Sequence, residues 1–307
     1  MDLASVGIVS PDGSTTAEFI PGGGMLCRSL RHHGDELLSS GHGLDAYLEE
    51  GKTLGIPLLF PWANRLDGFE YRAGGREVAL PHDRARFPVD PNGLPIHGAV
   101  PGLMRWDVDS GDGSSGRIAA TLDWDASSVP ELFELFPFEH EVQLDASVGD
   151  GSLTVATTVT AVGSDRVPVS FGFHPYLCVP GAGARAAWEL HLPSLERLEL
   201  DARNIPTGAR SPMTRSEFEL ADSSWDDAFA ALEVPARFAI STPSGRGIAL
   251  ELLEGFPFAQ IYGPPGHDFV CLEPMTAPAD ALRSGDGLTV IEPGASYRAV
   301  FRVTAWR

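Results

Sequence analysis

The sequence predicts an all-β fold, a large sandwich or barrel, and three observations predict it. Apolar residues recur with period two in several segments, and Gly and Pro clusters punctuate the gaps between them. With 34 glycines and 25 prolines, long helices have little room. Many short strands joined by tight turns close on themselves rather than layering with helices.

Along the chain, Pro21-Gly22-Gly23-Gly24 marks the first turn, and Gly111-Asp112-Gly113-Ser114 precedes the first clear strand. In that strand Ile118, Ala120, Leu122 and Trp124 alternate with smaller or polar residues. Phe138–Ala146 alternates in the same way, and so do Leu153, Val155, Thr157 and Val159. Val167, Val169, Phe171 and Phe173 form one apolar face of a further strand, followed by a Pro180-Gly181-Ala182-Gly183 turn. Gly263-Pro264-Pro265-Gly266 turns the chain again, and Tyr297, Ala299, Phe301 and Val303 alternate near its end. Such patterns are those of half-buried antiparallel strands. The short helical candidate is Pro130–Phe136. Apolar residues make up 43% of the chain, and no repeat, heptad or linker interrupts it, so residues 1–307 are expected to form a single domain.

The formal net charge is −20, from 22 Lys and Arg against 42 Asp and Glu, with Lys52 the only lysine. So acidic a surface repels phosphate backbones and anionic lipid, which argues against nucleic acid and membrane as partners. No apolar run approaches the roughly 20 residues of a membrane span. Met1–Ser5 lacks the basic and apolar regions of a signal peptide, so a cytoplasmic location is expected. Cys27, Cys178 and Cys271 follow no disulfide or zinc spacing and are expected to be reduced thiols, mostly packed in the core.

Several chemistries find no motif here. A phosphate loop, a GxSxG elbow, an HExxH pair and a strand–GxGxxG–helix unit are all missing from the sequence. Neither a metal nor an organic cofactor is expected. His32 and His33 are adjacent and would point to opposite faces of a strand, a poor chelating geometry. His140, inside an alternating strand, reads as a packed or surface residue.

Polar residues in apolar, turn-rich settings remain. Arg65 follows Ile56-Pro57-Leu58-Leu59-Phe60-Pro61-Trp62-Ala63-Asn64, where its charge must be paired in a structural salt bridge or face a ligand. His97 sits in a Leu94–Gly98 turn, on the surface or beside a ligand that Gly98 lets the backbone approach. Ser170, Gly172 and His174 share the face opposite Phe171 and Phe173, leaving room over the strand, and Pro175 is expected to end the ladder there. Glu273 shares a strand face with Phe269 and Cys271 before Pro274 halts that strand. Desolvation there would raise its pKa towards the range of a general base; a strand-end Glu in water is the alternative. Of the adjacent Asp226 and Asp227, one points inward and one outward in an extended segment.

Five segments in this order resemble the aldose 1-epimerase, or galactose mutarotase, family: GIPLLFPWANRL (residues 55–66), LPIHG (94–98), FGFHPYL (171–177), WDDAF (225–229) and VCLEP (270–274). The resemblance implies the family's large antiparallel β-sandwich, its supersandwich, with an open carbohydrate cleft on one face. It implies Glu273 as catalytic base and His174 as catalytic acid, with Arg65, His97 and Asp226 holding the sugar. Asp226 is preferred over Asp227 because the family's aspartate begins a D-x-x-F element. The form of the first segment is similar to the divergent bacterial branch, which shares features with hexose-6-phosphate epimerases, and Asp227 stands where typical galactose mutarotases carry histidine. A phosphorylated substrate would need an arginine cluster, for which Arg84 and Arg86, flanked by Asp83 and Asp90, are the available pair. A non-catalytic carbohydrate-binding protein on the same fold would be expected to lack Glu273 or His174, and both are present. Phe60, Trp62 and Tyr176 could stack on a pyranose, Phe60 being assigned to core packing.

Overall fold

Two large antiparallel sheets carry most of the strand residues. A computed structural model describes residues 3–41, 43–82, 85–111, 115–181, 183–231 and 233–307. The back sheet has nine strands, in the order 216–219, 189–192, 236–241, 247–254, 296–306, 152–161, 140–149, 117–124 and 107–110. The long alternating segments build its middle. In 117–124 the buried positions are Ile118, Ala120, Leu122 and Trp124; in 152–161 they are Leu153, Val155, Thr157, Val159 and Ala161. In the final strand Ala299, Phe301 and Val303 are buried, whereas Tyr297 is only half-buried.

The front sheet contains β1 (Leu58–Leu59), β2 (Gly172–Phe173), β3 (Tyr176–Leu177), β4 (Leu195–Leu200), β5 (Pro206–Met213), β6 (Trp225–Ala231), β7 (Phe258–Gly263) and β8 (Val270–Met275). Its order is β5-β4-β6-β7-β8-β2-β1, with β3 also paired to β8. A smaller four-stranded sheet covers residues 6–36.

Alternation in the front sheet sorts side chains onto two faces. Val270 and Leu272 of β8, Ala259 and Ile261 of β7, and Phe229 of β6 turn inward to the main core. Phe171 and Phe173 join them, packing on Phe256 and Phe301 with ring centroids 4.9–6.3 Å apart. Burying each such ring contributes roughly 1.5–3 kcal/mol, so the inner face is a firm support for what stands on the outer one. On the outer face, Met275, Phe258, Ala228, Ala230, Leu198 and Leu59 form a separate apolar cluster beside a polar hollow.

Three expectations are corrected. Pro175 does not end the ladder: the chain resumes as β3, pairing Tyr176 with Cys271 and Leu177 with Val270, so His174 lies within the sheet and not at its edge. Pro274 does not halt β8, which runs on to Met275 with Pro274 opposite Ala259. His33 lies beyond the end of its strand at φ 51°, and the rings of His32 and His33 approach to 4.2 Å instead of diverging.

The anticipated helix is short, Pro130–Phe133, and a seven-residue helix at Leu44–Glu50 was not anticipated. Its signal was present: Leu44, Tyr47 and Leu48 repeat at helical spacing before Gly51, which closes the helix at φ 68°. Among the described residues no helix is long and apolar enough to cross a membrane. Cys27 and Cys271 are buried, Cys178 is half-buried, and all three are free thiols.

Candidate active site

The hollow on the outer face follows from strand register. Gly172 pairs with Met275 and Tyr176 with Cys271, which sets His174 across from Glu273. Glu273 pairs on its other side with Gln260, and Gln260 with Ala228. The neighbouring row runs Tyr176, Cys271, Tyr262, Asp226. Two adjacent rows of one sheet therefore bring together most of the polar groups that line the hollow. Its volume is about 190 Å³, and its walls include Thr53, Asn64, His97, Tyr176 and Tyr262.

All five residues singled out from the sequence, Arg65, His97, His174, Asp226 and Glu273, line this one cavity. A larger hollow of about 490 Å³ lies between Tyr71, Glu77 and Arg283. Its glutamates are solvent-exposed, and its buried titratable group, Tyr71, spends its hydroxyl on Leu135 O, so its size does not make it the better candidate.

At the floor, His174 Nε2 stands 3.2 Å from Glu273 Oε1. Both side chains are almost fully buried, and Glu273 Oε2 and His174 Nδ1 have no hydrogen-bond partner among the described residues. Burial drives the Glu273 carboxyl well above the usual carboxylate range; the nearby Asp226 charge adds to this and Arg65 opposes it. Burial also pulls His174 down to about 3, with Arg65 contributing. The imidazole stacks on the Tyr176 ring at 4.9 Å, and the Tyr176 hydroxyl is 2.7 Å from Thr53 Oγ1. The backbone on either side of His174 is tied down too: His174 N–H donates to Pro57 O and Tyr176 N–H to Gly55 O.

Arg65 forms one wall. Its Nε donates to Asp90 Oδ2 at 2.8 Å, its Nη1 to Asn64 Oδ1 at 3.0 Å, and its Nη2 lies 3.8 Å from Asp226 Oδ2. The charge is thus both paired in a salt bridge and turned to the cavity, which joins the two alternatives the sequence left open. Asp90 also accepts hydrogen bonds from the Asn92 and Leu94 backbone N–H groups, so one carboxylate fixes Arg65 and the turn leading to His97.

His97 is partly exposed, has φ 61°, and meets His174 edge-on at 5.5 Å. Burial pushes its pKa well below the ordinary histidine value, with His174 and Arg65 adding to the effect. Gly98 has a structural reason: a Cβ there would stand 2.2 Å from Phe60 O, so the close approach is to the chain itself and not to a ligand.

Asp226 and Asp227 part as an extended segment requires. Asp226 Oδ1 accepts from Gln260 Nε2 and its Oδ2 from Asn204 Nδ2, both at 2.6 Å. Asp227 pairs with Arg197 away from the cavity. Burial raises Asp226 from the ordinary carboxylate value, against the pull of Arg65 and the Gln260 amide.

Of the candidate stacking aromatics, Tyr176 lines the cavity, whereas Phe60 and Trp62 are core residues. Phe60 packs on Trp124 and Phe171, and Trp62 on Phe87, which corrects the expectation for Trp62. Arg86 is ion-paired to Glu134 and is not part of the wall. Arg84 and Asp83 lie outside the described residues. Asp90, expected to offset those arginines, holds Arg65 instead. His140 is buried, with Nδ1 2.7 Å from Phe138 O.

Sequence reasoning missed Gln260, Asn204, Asp90, Thr53 and Tyr262. Gln260 and Tyr262 carried a usable signal, the polar phase of an alternating strand, Phe258–Gly263, beside the Glu273 strand.

Comparison with known proteins agrees with this architecture. The model of the aldose 1-epimerase family matches residues 9–304. The Escherichia coli (strain K12) protein YihR is 23% identical over 259 residues, which cover 81% of this chain and 79% of YihR. A galactose mutarotase-like protein from Clostridium acetobutylicum superposes with a TM-score of 0.80 at 19% identity, covering 100% of this chain and 99% of that one. A putative aldose 1-epimerase from E. coli K12 gives 0.75 at 19% identity, with 99% of each chain covered. These structural likenesses establish a shared fold, the galactose mutarotase-like β-sandwich.

Proposed function

This chain belongs to the aldose 1-epimerase family, and from that premise we propose that it interconverts the α and β anomers of an unphosphorylated aldose. The observation that carries the reading is the Glu273–His174 contact at the floor of a cavity walled by Arg65, His97 and Asp226. We treat residues 1–307 as one domain, because a single apolar cluster draws on residues from Ile8 to Val303.

Anomerisation requires an acid and a base close together. The hemiacetal opens when one group takes the proton of the C1 hydroxyl and another protonates the ring oxygen. Both oxygens sit on the same carbon, so the two groups must converge, and a 3.2 Å pair does. The open aldehyde turns about C1–C2 and recloses from its other face with the roles exchanged.

Burial favours the uncharged forms, a protonated Glu273 and a neutral imidazole. The carboxylate–imidazolium pair, in which Glu273 is base and His174 acid, is the tautomer of that state with one proton moved across the gap. The pair holds one transferable proton in either form. Taking one proton from C1–OH and giving one to the ring oxygen leaves that count unchanged, which suits a reaction that runs both ways.

Arg65 and Asp226 supply a donor and an acceptor for sugar hydroxyls, and Tyr176 and Tyr262 supply ring faces. Among the described lining residues Arg65 is the one permanent cation, and it is engaged by Asp90. That supports a neutral sugar over a hexose phosphate. The test is polarimetry or NMR of freshly dissolved α-anomers of free and 6-phosphorylated aldoses. Faster equilibration of a free aldose is expected; no acceleration of any sugar would end the enzymatic reading, and a preference for the phosphorylated form would end the neutral-substrate one.

A further inference from the structure

The register that sets His174 opposite Glu273 places a third group beside them. Cys271 lies two residues before Glu273 on the same strand face, and the donor atoms of His174, Cys271 and Glu273 all lie within 4.8 Å of one another. All three residues are buried. Glu273 Oε2 and His174 Nδ1 are buried without a hydrogen-bond partner among the described residues, so the cluster has coordinating capacity that none of those residues uses. The cavity is open at this point, since His174 and Glu273 form part of its wall.

We propose that His174, Cys271 and Glu273 form a three-ligand site for a thiophilic divalent cation, of which Zn²⁺ is the reference. One imidazole, one thiolate and one carboxylate are ligands that Zn²⁺ takes at about 2.0–2.3 Å. Donors around a tetrahedral ion of that size sit roughly 3–4 Å apart, so closing on it needs a side-chain adjustment of about an ångström. The sulfur selects for zinc, cadmium and cobalt and against Mg²⁺ and Ca²⁺, which require oxygen donors. Coordination replaces the S–H bond of Cys271 with an S–metal bond, and the displaced proton leaves to solvent. The fourth position faces the cavity and takes water.

A filled site occupies both members of the acid–base pair, so the cation excludes productive sugar binding. This consequence rests on the mutarotase reading; the coordination itself rests only on the three side chains. Zinc is therefore a reversible inhibitor that acts at the reacting atoms and not a cofactor.

The test uses the full-length, chelator-treated protein and Co²⁺ as a spectroscopic probe. Wild type is expected to bind one Co²⁺ and show a thiolate-to-cobalt charge-transfer band. The Cys27→Ser/Cys178→Ser double variant, with Cys271 its sole thiol, is expected to keep that band. Cys271→Ser is expected to lose it and to bind Zn²⁺ at least about tenfold more weakly. No band in wild type overturns the proposal; so does a band lost in the double variant or retained in Cys271→Ser. Should Cys271→Ser not fold, the double variant decides alone. A band in a protein that accelerates no sugar would leave the metal site standing and remove the mutarotase reading. A band together with undiminished epimerisation at saturating Zn²⁺ would overturn the claim of inhibition.

Discussion

His174 Nε2 and Glu273 Oε1 stand 3.2 Å apart in the front sheet, His174 in the two-residue gap between β2 and β3 and Glu273 on β8, both side chains withdrawn from solvent. Each keeps a second heteroatom that meets no hydrogen-bond partner among the described residues. A buried polar group left unsatisfied costs about 1–3 kcal/mol, so the pair is a stability cost that function has to justify.

Glu273→Gln and His174→Asn are expected to fold and to lower epimerisation by about 10²–10⁴-fold each, the range of a single acid–base group. Anomer equilibration followed by NMR measures this. Wild-type rates in either variant would remove that residue from the chemistry.

The Glu273 substitution carries a second, opposite expectation. The folded pKa of Glu273 is raised, so between the ordinary carboxylate value of 4.5 and that raised value the folded state binds the extra proton. Stability therefore falls as pH rises through this window. Gln cannot ionise, so Glu273→Gln should resist urea better than wild type at neutral pH. An equal or lower midpoint would count against the desolvated carboxyl.

Arg65→Ala should raise KM far more than it lowers kcat. Asp90→Asn should move KM in the same direction by less, since it removes the charge from a hydrogen bond worth about 2 kcal/mol while keeping the side-chain shape. Steady-state kinetics across sugar concentration separates the two. An unchanged KM in Arg65→Ala would end its role as a sugar clamp.

Asp226 and Asp227 should behave as opposites. Asp226→Ala strands the Gln260 and Asn204 amides that donate to it and is expected to weaken sugar binding at least about tenfold, as loss of a charged hydrogen bond of about 1.5–3 kcal/mol would. Asp227→Ala breaks only the Arg197 pair and should leave kinetics near wild type. The reverse ranking would mean that the segment sits one residue out of the register described.

His140, sealed among Trp124, Phe60 and Phe136, has its pKa lowered from 6.5 to about 4 by burial. The unfolded chain takes up a proton below 6.5 that the folded chain refuses, so this group's contribution to stability is lost as pH falls from about 6.5 to about 4, a span worth about 3 kcal/mol. NMR titration of the labelled imidazole should find its midpoint near 4. A midpoint near 6.5 would show that the ring is wet.

Much of the back sheet was legible because its strands are long: burial alternates through the ten residues of His140–Gly149, most of which lie in the predicted Phe138–Ala146 segment. The front sheet was harder. The segment that carries His174 gives it only two two-residue strands, Gly172–Phe173 and Tyr176–Leu177, while Val167–Val169 pairs with Thr289–Ile291 outside it, and a proline inside such a run reads as an end when it is a pause. Glu273 and His174 stood out because a charge among apolar neighbours demands an explanation. Gln260 did not, since an amide in an alternating strand is unremarked until its cross-strand partner is known. Asp90 was misjudged for a related reason: its partner lies 25 residues away across a turn, a pairing that local sequence does not encode.

The chemistry stands on one side of a two-sided ribbon, and that makes it sensitive to insertion and deletion in a way point substitution does not reveal. Adding one residue within Val270–Met275 would exchange Glu273 for Leu272 at the cavity floor and thrust a carboxylate into hydrocarbon. Lengthening the Asp150-Gly151 hairpin tip of the back sheet would shift nothing that lines the cavity. Evolutionary or engineered length changes in this protein should therefore gather at the loop tips, while the short ladder around residues 260, 273 and 174 keeps its spacing.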